Sequence, residues 1–342
     1  MVGAVVVRDG AVIGEGFHAR PGEPHAERMA LSDCREDPSG ATMYVSLEPC
    51  AHQGRTPPCT DALVEAGIAR VVVASDDPTA KASGRGLGML RDEGVAVELA
   101  DGPVAQEARL LNQPFRKHAR TGRPLVVFKS AMSLDGKVAT PSGDSKWISG
   151  ESSRARAHRW RAECDAVAVG IGTARADDPL LTSRVEGAGR QPRRVVFDSE
   201  AALRTDSRLV RTVAEYPVTL VCSRAAKRRA TDALRNAGVD VVVASGPTEE
   251  ARVCHALDQL GAQGIQSMLL EGGPHLAGVF LKAGEIDEAR MFIAPLLIGG
   301  DHARGAIEAT GVDRVADAQR ALDHSVETID DDVLVTARLR EW

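Results

Sequence analysis

"EPHAERMALSDC" (residues 23–34) and, a little further on, "LEPCAHQGRTPPC" (residues 47–59) are the stretches on which the reading of this chain turns. The first sets His25 and Glu27 two positions apart, at a helix opening just after Pro24. The second holds Cys50 and Cys59. One imidazole and two thiolates form a zinc donor set with the fourth tetrahedral position open, as a catalytic zinc requires. Such a zinc raises the acidity of a water in that position. Glu27, two residues beyond His25, is placed to reach that water and carry its proton onward. A fourth protein ligand, drawn from His52 or Cys34, would instead close the site as a structural one.

Strand and helix signals alternate around these stretches. "GAVVV" and "AVIGEG" flank Arg8-Asp9-Gly10, which reads as a hairpin turn. "ATMYVSLEP" reads as a strand, and "ARVVVAS" as a buried one from its unbroken Val run. "TDALVEAG" is a helix that Gly67 can end, and "GLGMLRDEGVAVELA" supplies a further helix and strand. The pattern is an α/β layer with its loop ends presented to one side. The basic segment from Arg116 to Pro124 reads as a linker, dividing the chain into residues 1–122 and 123–342. Beyond it, "PLVVFKS", "AVAVGIGT", "RRVVFDS", "YPVTLVCS", "VDVVVAS" and "QSMLLEGG" are strands separated by helical patterns. "DDVLVTARL" alternates, as an edge or antiparallel strand does. "ISGESSRARAHRWRAECD" is helical, with Ser149 or Ser152 as N-cap and most of its arginines facing water.

A chain of 342 residues suits two domains, each able to bury its own core. A net charge of -6 and an aromatic content of 3% argue against a basic, base-stacking groove for nucleic acid. No apolar run approaches the length of a membrane span, and "MVGAVVVRDG" lacks the features of a signal peptide, so the cytoplasm is the expected compartment. There, the six cysteines read as metal ligands or small core side chains rather than a disulfide framework.

His-x-Glu followed by Pro-Cys and a second Cys is the signature of zinc deaminases. One feature departs from it: Cys59 lies nine residues after Cys50, not three. The insert "AHQGRTPP" sets His52, Gly54, Arg55 and Thr56 beside the metal, and Arg55 suits a substrate phosphate. The second half carries, in order, "KSAMSLDGKVATPSGDSKWISG", "GIGTARADDPLLTSR" and "LLEGGPHLAGVFL". "EGGPHLAGVF" puts two glycines between a strand and a helix, where a backbone can approach a pyrophosphate, although it is not G-x-G-x-x-G.

With these motifs the chain resembles, over essentially its whole length, the bifunctional deaminase–reductase family of riboflavin biosynthesis. The resemblance implies an α/β architecture, a cytidine-deaminase-like three-layer domain followed by a dihydrofolate-reductase-like one. It implies Zn2+ on His25, Cys50 and Cys59, with Glu27 as the catalytic proton carrier. It implies NADPH held by Ala131, Trp147, Thr173, Asp177, Ser199 and the run Gly273, Pro274, His275, Leu276, Ala277, Gly278 and Val279. Ser145, Arg161, Leu181, Arg184 and Glu271 fall where a phosphoribosyl-pyrimidine substrate is held, the two arginines as phosphate clamps, with Asp135 and Lys137 lining that cleft. The implied chemistry is hydrolytic loss of the C2 amine of a diaminopyrimidinone ribosyl phosphate, then reduction of the ribosyl group to ribityl. Pairing through the reductase domain into a homo-oligomer is also implied, with neither nucleic acid nor membrane as partner.

Two departures from the family pattern bear on the first half. The family carries a helix and a "PNP" segment ahead of the "VG", whereas this sequence opens almost at "VGAVVV". Either the true start lies upstream, or the deaminase is weakened and the chain acts as a reductase. In "DDPTAKASGRGL", Thr79-Ala80 stands where the family has Asn-Pro, which alters the detail of a substrate-facing loop.

Overall fold

The computed structural model describes residues 1–342 apart from 21, 55, 80, 81 and 188. The chain divides into two compact units, Met1–Thr121 together with Trp342, and Gly122–Glu341.

The first unit opens with the expected hairpin, β1 (Gly3–Arg8) and β2 (Ala11–Phe17). Asp9 and Gly10 both take positive φ, 49° and 81°, the primed turn that matches the twist of paired strands. Then follow α1 (Ala26–Ser32), β3 (Thr42–Val45), α2 (Cys59–Glu65), β4 (Arg70–Val73), α3 (Arg85–Asp92), β5 (Ala96–Leu99), α4 (Gly102–Leu111) and α5 (Gln113–Thr121). The sheet runs β2-β1-β3-β4-β5. The hairpin side is antiparallel and β3, β4 and β5 are parallel. Val6, Met43 and Val71 of the sheet are fully buried against Ala26 and Ala30 of α1, Leu63 of α2 and Leu90 of α3. Helix α1 lies directly on β2: a Cβ at Gly16 would fall 2.4 Å from the Ala30 nitrogen. That close approach fixes the helix whose first turn carries Glu27.

The basic segment expected to be a linker is in large part α5. Arg116 and Lys117 are each 1% exposed. Arg116 donates to Ser75 Oγ, the Asp76 carbonyl and the Asp76 carboxylate, so its charge is answered inside the unit. A string of cations read from sequence as solvated is partly core because hydrogen-bond partners distant in the chain receive it.

The second unit comprises β6 (Leu125–Ser133), β7 (Lys137–Ala139), α6 (Glu151–Glu163), β8 (Ala166–Gly170), α7 (Ile171–Asp177), β9 (Arg193–Phe197), α8 (Arg208–Arg211), β10 (Val218–Ser223), α9 (Arg228–Asn236), β11 (Asp240–Ala244), α10 (Glu249–Ala262), β12 (Ser267–Leu270), α11 (Pro274–Lys282), β13 (Glu288–Ala294), β14 (Arg304–Gly305), β15 (Asp323–Ile329) and β16 (Asp332–Arg338). Its main sheet runs β11-β10-β9-β8-β12-β6-β13-β16-β15. The strands from β11 to β13 are parallel, and the apolar runs of β8, β9, β10 and β12 between them are buried as parallel strands require. Val126, Phe128, Ala168, Met268 and Leu270 meet Ala256 and Leu260 of α10 and Ala277 and Phe280 of α11. The alternating C-terminal strand, β16, is antiparallel but not an edge: it lies between β13 and β15, and β15 is the edge.

Helix α6 is also capped differently from expectation. Its N-cap is Gly150, not Ser149 or Ser152. The Asp332 carboxylate supplies the acceptor, 2.8 Å from the Gly150 nitrogen and 2.6 Å from Ser153 Oγ.

Candidate active sites

In the first unit, three elements converge. His25 is the N-cap of α1 in extended conformation, Cys50 follows Pro49, and Cys59 is the first residue of α2. His25 Nδ1 lies 3.5 Å from Cys50 Sγ and 3.3 Å from Cys59 Sγ. The three donor atoms all fall within 4.8 Å of one another, and among the described residues no other group of His, Cys, Asp and Glu does so. Cys34 instead donates to the Ala30 carbonyl. The Cys59 nitrogen at the start of α2 donates to Cys50 Sγ at 3.4 Å. Cys50 is held well below the ordinary thiol range, chiefly by its hydrogen bond from the Cys59 side chain. Cys59 is pushed up as the partner that keeps the shared proton, with burial adding to the effect. Two thiol sulfurs and an imidazole nitrogen gathered within 4.8 Å of one another form a soft donor set, so the site fits zinc.

Glu27 is 3% exposed, and burial raises its carboxyl above the usual range. It sits close enough to Cys59 to hydrogen-bond its thiol, so it belongs to the same constellation. The insert is tied at two points, to the ligand His25 and to Arg28 of α1. Thr56 Oγ1 lies 3.3 Å from His25 Nε2, and Arg28 Nη2 donates to the Pro58 carbonyl at 2.7 Å. An outer partner on the second ring nitrogen fixes which nitrogen of a histidine faces a metal. Arg55, the expected phosphate contact, lies outside the described residues.

In the second unit a cavity of about 390 Å³ opens where β8, β9 and β10 end and α11 begins. Ligands of open parallel sheets bind at that end of the strands. Of the residues expected to hold the cofactor, Thr173, Ser199, Gly273, Pro274, His275, Leu276 and Val279 line it. Ala277 and Gly278 face the core instead. Asp177 is paired with Lys146 at 3.0 Å. Trp147 is 70% exposed under the Arg154 guanidinium, outside the core. Gly170, Phe197, Ser223, Arg175 and Arg252 also line the cavity. Gly170 and Arg175 belong to the quoted "GIGTARADDPLLTSR", strand-end position is the signal for Phe197 and Ser223, and Arg252 comes from α10.

The expected substrate residues partly assemble. Arg161 Nε and Nη2 grip the Glu271 carboxylate at 2.6 and 2.9 Å, and Nη1 donates to the Thr182 carbonyl. Arg161 is therefore committed to Glu271 rather than standing ready as a second phosphate clamp. Arg184 is exposed, and Leu181 is buried at a positive φ of 56°. Lys129, which sequence reasoning passed over, lies 3.9 Å from Glu271. A lysine inside a buried parallel strand was the available signal. His158 also faces this group and is held down by burial and by Arg161 and Arg184. Burial would raise Glu271, but Arg161 and Lys129 outweigh it and hold the carboxyl at about 2. Asp135 and Lys137 do structural service: Asp135 accepts from Ser133 and from the Ile298 and Gly299 nitrogens, and Lys137 donates to the Ala303 carbonyl.

A deaminase-type zinc site on one α/β unit, and a nucleotide-sized cavity at the strand ends of another, define a two-headed deaminase–reductase. Comparison with known proteins agrees. The family "Cytidine and deoxycytidylate deaminase zinc-binding region" matches residues 1–75, and the family "RibD C-terminal domain" matches residues 124–335. The riboflavin biosynthesis protein RibD of Actinobacillus pleuropneumoniae is 42% identical over 98% of this chain and 88% of its own length. That of Escherichia coli (strain K12) is 39% identical over 97% and 91%. Among solved structures, Acinetobacter baumannii RibD superposes with a TM-score of 0.85 at 36% identity, covering 99% of this chain and 92% of the other. A Thermotoga maritima diaminohydroxyphosphoribosylaminopyrimidine deaminase/5-amino-6-(5-phosphoribosylamino)uracil reductase gives 0.83 at 35%, with the same coverage. The chain belongs to the RibD family. It is a bifunctional riboflavin biosynthesis enzyme that uses Zn2+ and NADPH. Among the described residues no helix is long and apolar enough to cross a membrane.

Proposed function

We propose that the first unit hydrolyses the C2 amine of 2,5-diamino-6-(ribosylamino)-4(3H)-pyrimidinone 5′-phosphate. The second then reduces the ribosyl group of the product to ribityl. The observation that carries the assignment is the convergence of His25 Nδ1, Cys50 Sγ and Cys59 Sγ beside a buried Glu27. His25, Cys50 and Cys59 hold the zinc. When bound, zinc supplies Lewis acidity toward water and NADPH supplies a hydride. Glu27 takes the proton of the attacking water, gives it to the pyrimidine ring nitrogen, and returns a proton to the departing amine. Its buried, proton-retaining carboxyl suits both directions of that transfer.

In the second unit the α11 N-terminus and the ends of β8, β9 and β10 receive the dinucleotide, which is supported by the position of the cavity. The expected residues that line the cavity keep these roles in the reading, Ala277 and Gly278 do not, and the substrate residues are shifted at one point. Arg184 meets the substrate phosphate while Arg161 orients Glu271 toward the sugar hydroxyls, and Lys129 joins them. Positioning supplies most of the rate in such a hydride transfer. The domains are residues 1–122 and 123–342. Reductase units pair into a homo-oligomer, supported by the exposed edge strand β15 with Val326 and the neighbouring Leu322 uncovered. The compartment is the cytoplasm, supported by six free cysteines.

Glu27→Gln tests the reading. Ammonia release from the diaminopyrimidinone falls about 10²- to 10⁴-fold, the range for loss of a general acid–base group. Zinc stays bound, and NADPH oxidation on the deaminated intermediate is unchanged. Ammonia release within tenfold of the parent would refute the role of Glu27.

A further inference from the structure

Glu48 lies one residue from Pro49 and two from the ligand Cys50, and it is 4% exposed. It was not among the expected site residues. Its carboxylate reaches across the fold to the segment that leads into α3. Oε2 accepts from the Gly84 nitrogen at 3.0 Å and, more weakly, from the Asp77 nitrogen at 3.4 Å. Oε1 accepts from the Gly86 nitrogen at 3.1 Å. The Glu48 nitrogen donates to the Ser75 carbonyl at 2.9 Å.

Gly84 is the N-cap of α3 and has no side chain with which to cap it. Glu48 does that work from outside, and its charge meets the positive end of the helix. The approach is close as well. A Cβ at Gly86 would fall 2.0 Å from the Pro49 carbonyl oxygen, so α3 abuts the very turn that delivers Cys50. The other end of the segment is gripped by Arg116, through Ser75 Oγ, the Asp76 carbonyl and the Asp76 carboxylate. Between the two grips, the Thr79 nitrogen donates to the Asp77 carboxylate, and its carbonyl accepts from the Ala82 and Ser83 nitrogens. Asp77, Gly84 and Gly86 are thus held by one carboxylate beside the turn that carries a zinc ligand.

We propose that Glu48 is a positioning residue of the deaminase. It holds Asp77, Gly84 and Gly86, and with them the start of α3, in the conformation that the pyrimidine substrate meets, and it does so without touching metal or substrate. This rests on the deaminase reading above and on the expectation from the sequence that the loop before α3 faces the substrate. A buried carboxylate accepting several backbone N–H groups makes strong, charge-assisted bonds, so the segment is ordered before the substrate arrives. Without it, the ordering must be done at the moment of binding, and affinity falls. Zinc is insulated from the change, because Cys50 is held separately by the Cys59 nitrogen and His25.

The test is made on the full chain carrying zinc. Glu48→Gln sets an amide N–H₂ against the N–H groups of the segment. It raises KM for ammonia release about 10-fold, while kcat stays within about threefold and zinc remains stoichiometric. By hydrogen exchange, the peptide covering residues 77–88 exchanges faster than in the parent, and saturating substrate restores its protection. Gly86→Ala attacks the same contact from the opposite side and gives the same KM and exchange changes. It decides the matter if Glu48→Gln fails to fold, as judged by loss of exchange protection across the strands of the first unit. An unmoved KM in the folded variants overturns the inference, as does loss of zinc in step with kcat, which would make Glu48 a support of the metal. Ammonia release by the unaltered chain is the separate check. A parent that releases none fails the deaminase reading, whereas release with an unmoved KM fails only the role of Glu48.

Discussion

The Glu271→Gln substitution strikes a buried charge cluster of the reductase unit. The carboxylate is bound in two-pronged fashion by Arg161 and lies 3.9 Å from Lys129, with side-chain exposures of 10%, 17% and 19% for Glu271, Arg161 and Lys129. Burial alone would raise its pKa, yet the two cations bring it from 4.5 to about 2. At about 1.4 kcal/mol per tenfold change in proton affinity, that drop corresponds to about 3 kcal/mol of stability. A carboxyl depressed on folding contributes fully above its unfolded pKa. The contribution is therefore complete at neutral pH, declines as pH falls below about 4.5, and is gone near 2. Glutamine keeps the shape and one acceptor but leaves Arg161 and Lys129 buried without their counter-charge. For a unit of this size, about 3 kcal/mol lowers Tm by about 6–12 °C. The assay is thermal unfolding followed by fluorescence of Trp160, which is buried and stacked on Phe292 within the same unit. The gap between variant and parent should narrow steadily from pH 5 to pH 3. Arg161→Met combined with Glu271→Gln should recover part of the loss, since it removes the stranded guanidinium. A Tm within about 2 °C of the parent at neutral pH, or a gap that ignores pH, would show that burial and attraction cancel at this cluster.

Cys59→Ser removes one of the soft donors and the helix-start residue of α2 together. Zinc content should fall well below one per chain, by metal analysis, and ammonia release should vanish while NADPH oxidation on the deaminated intermediate continues. Asp332→Asn weakens the acceptor that serves Gly150 and Ser153 at the start of α6. The expected loss is about 1–2 kcal/mol of reductase stability by denaturant titration, with zinc content unaltered.

What could be read ahead of the structure follows a physical division. The hairpin at Asp9-Gly10 and the buried parallel strands are properties of short windows, since turn chemistry and unbroken apolar runs need no distant partner to declare themselves. The metal donors were legible for a different reason: few alternatives put His, Glu and two Cys in that order. The failures share one cause. Arg116 and Lys117 looked like a linker because their partners are elsewhere, Ser75 and Asp76 being the visible ones for Arg116. The α6 cap was sought in Ser149 and Ser152 because caps are ordinarily local, yet its acceptor comes from Asp332 near the other end of the unit. Glu48 serves α3 in the same way. Lys129 was read simply as part of a strand because Glu271 and Arg161 meet it only once β6, β12 and α6 are assembled.

Each missed group is a charge that would be costly to bury alone and is tolerable only with a specific distant partner. Such a group contributes little that a local window can detect, but its position is set tightly once the partner is in place. Charges of that kind are therefore suited to hold a site's geometry, and they cluster here where geometry matters most. Glu48 stands next to the turn carrying a zinc ligand, and Glu271, met by Lys129 of β6, lies between the end of β12 and Gly273, which lines the cavity. Motifs in this chain mark the atoms that react or bind, and long-range ionic contacts mark the frame that aims them. A deaminase relying on its motif alone would tolerate Glu48→Gln, which is why the KM of that variant discriminates between the two descriptions.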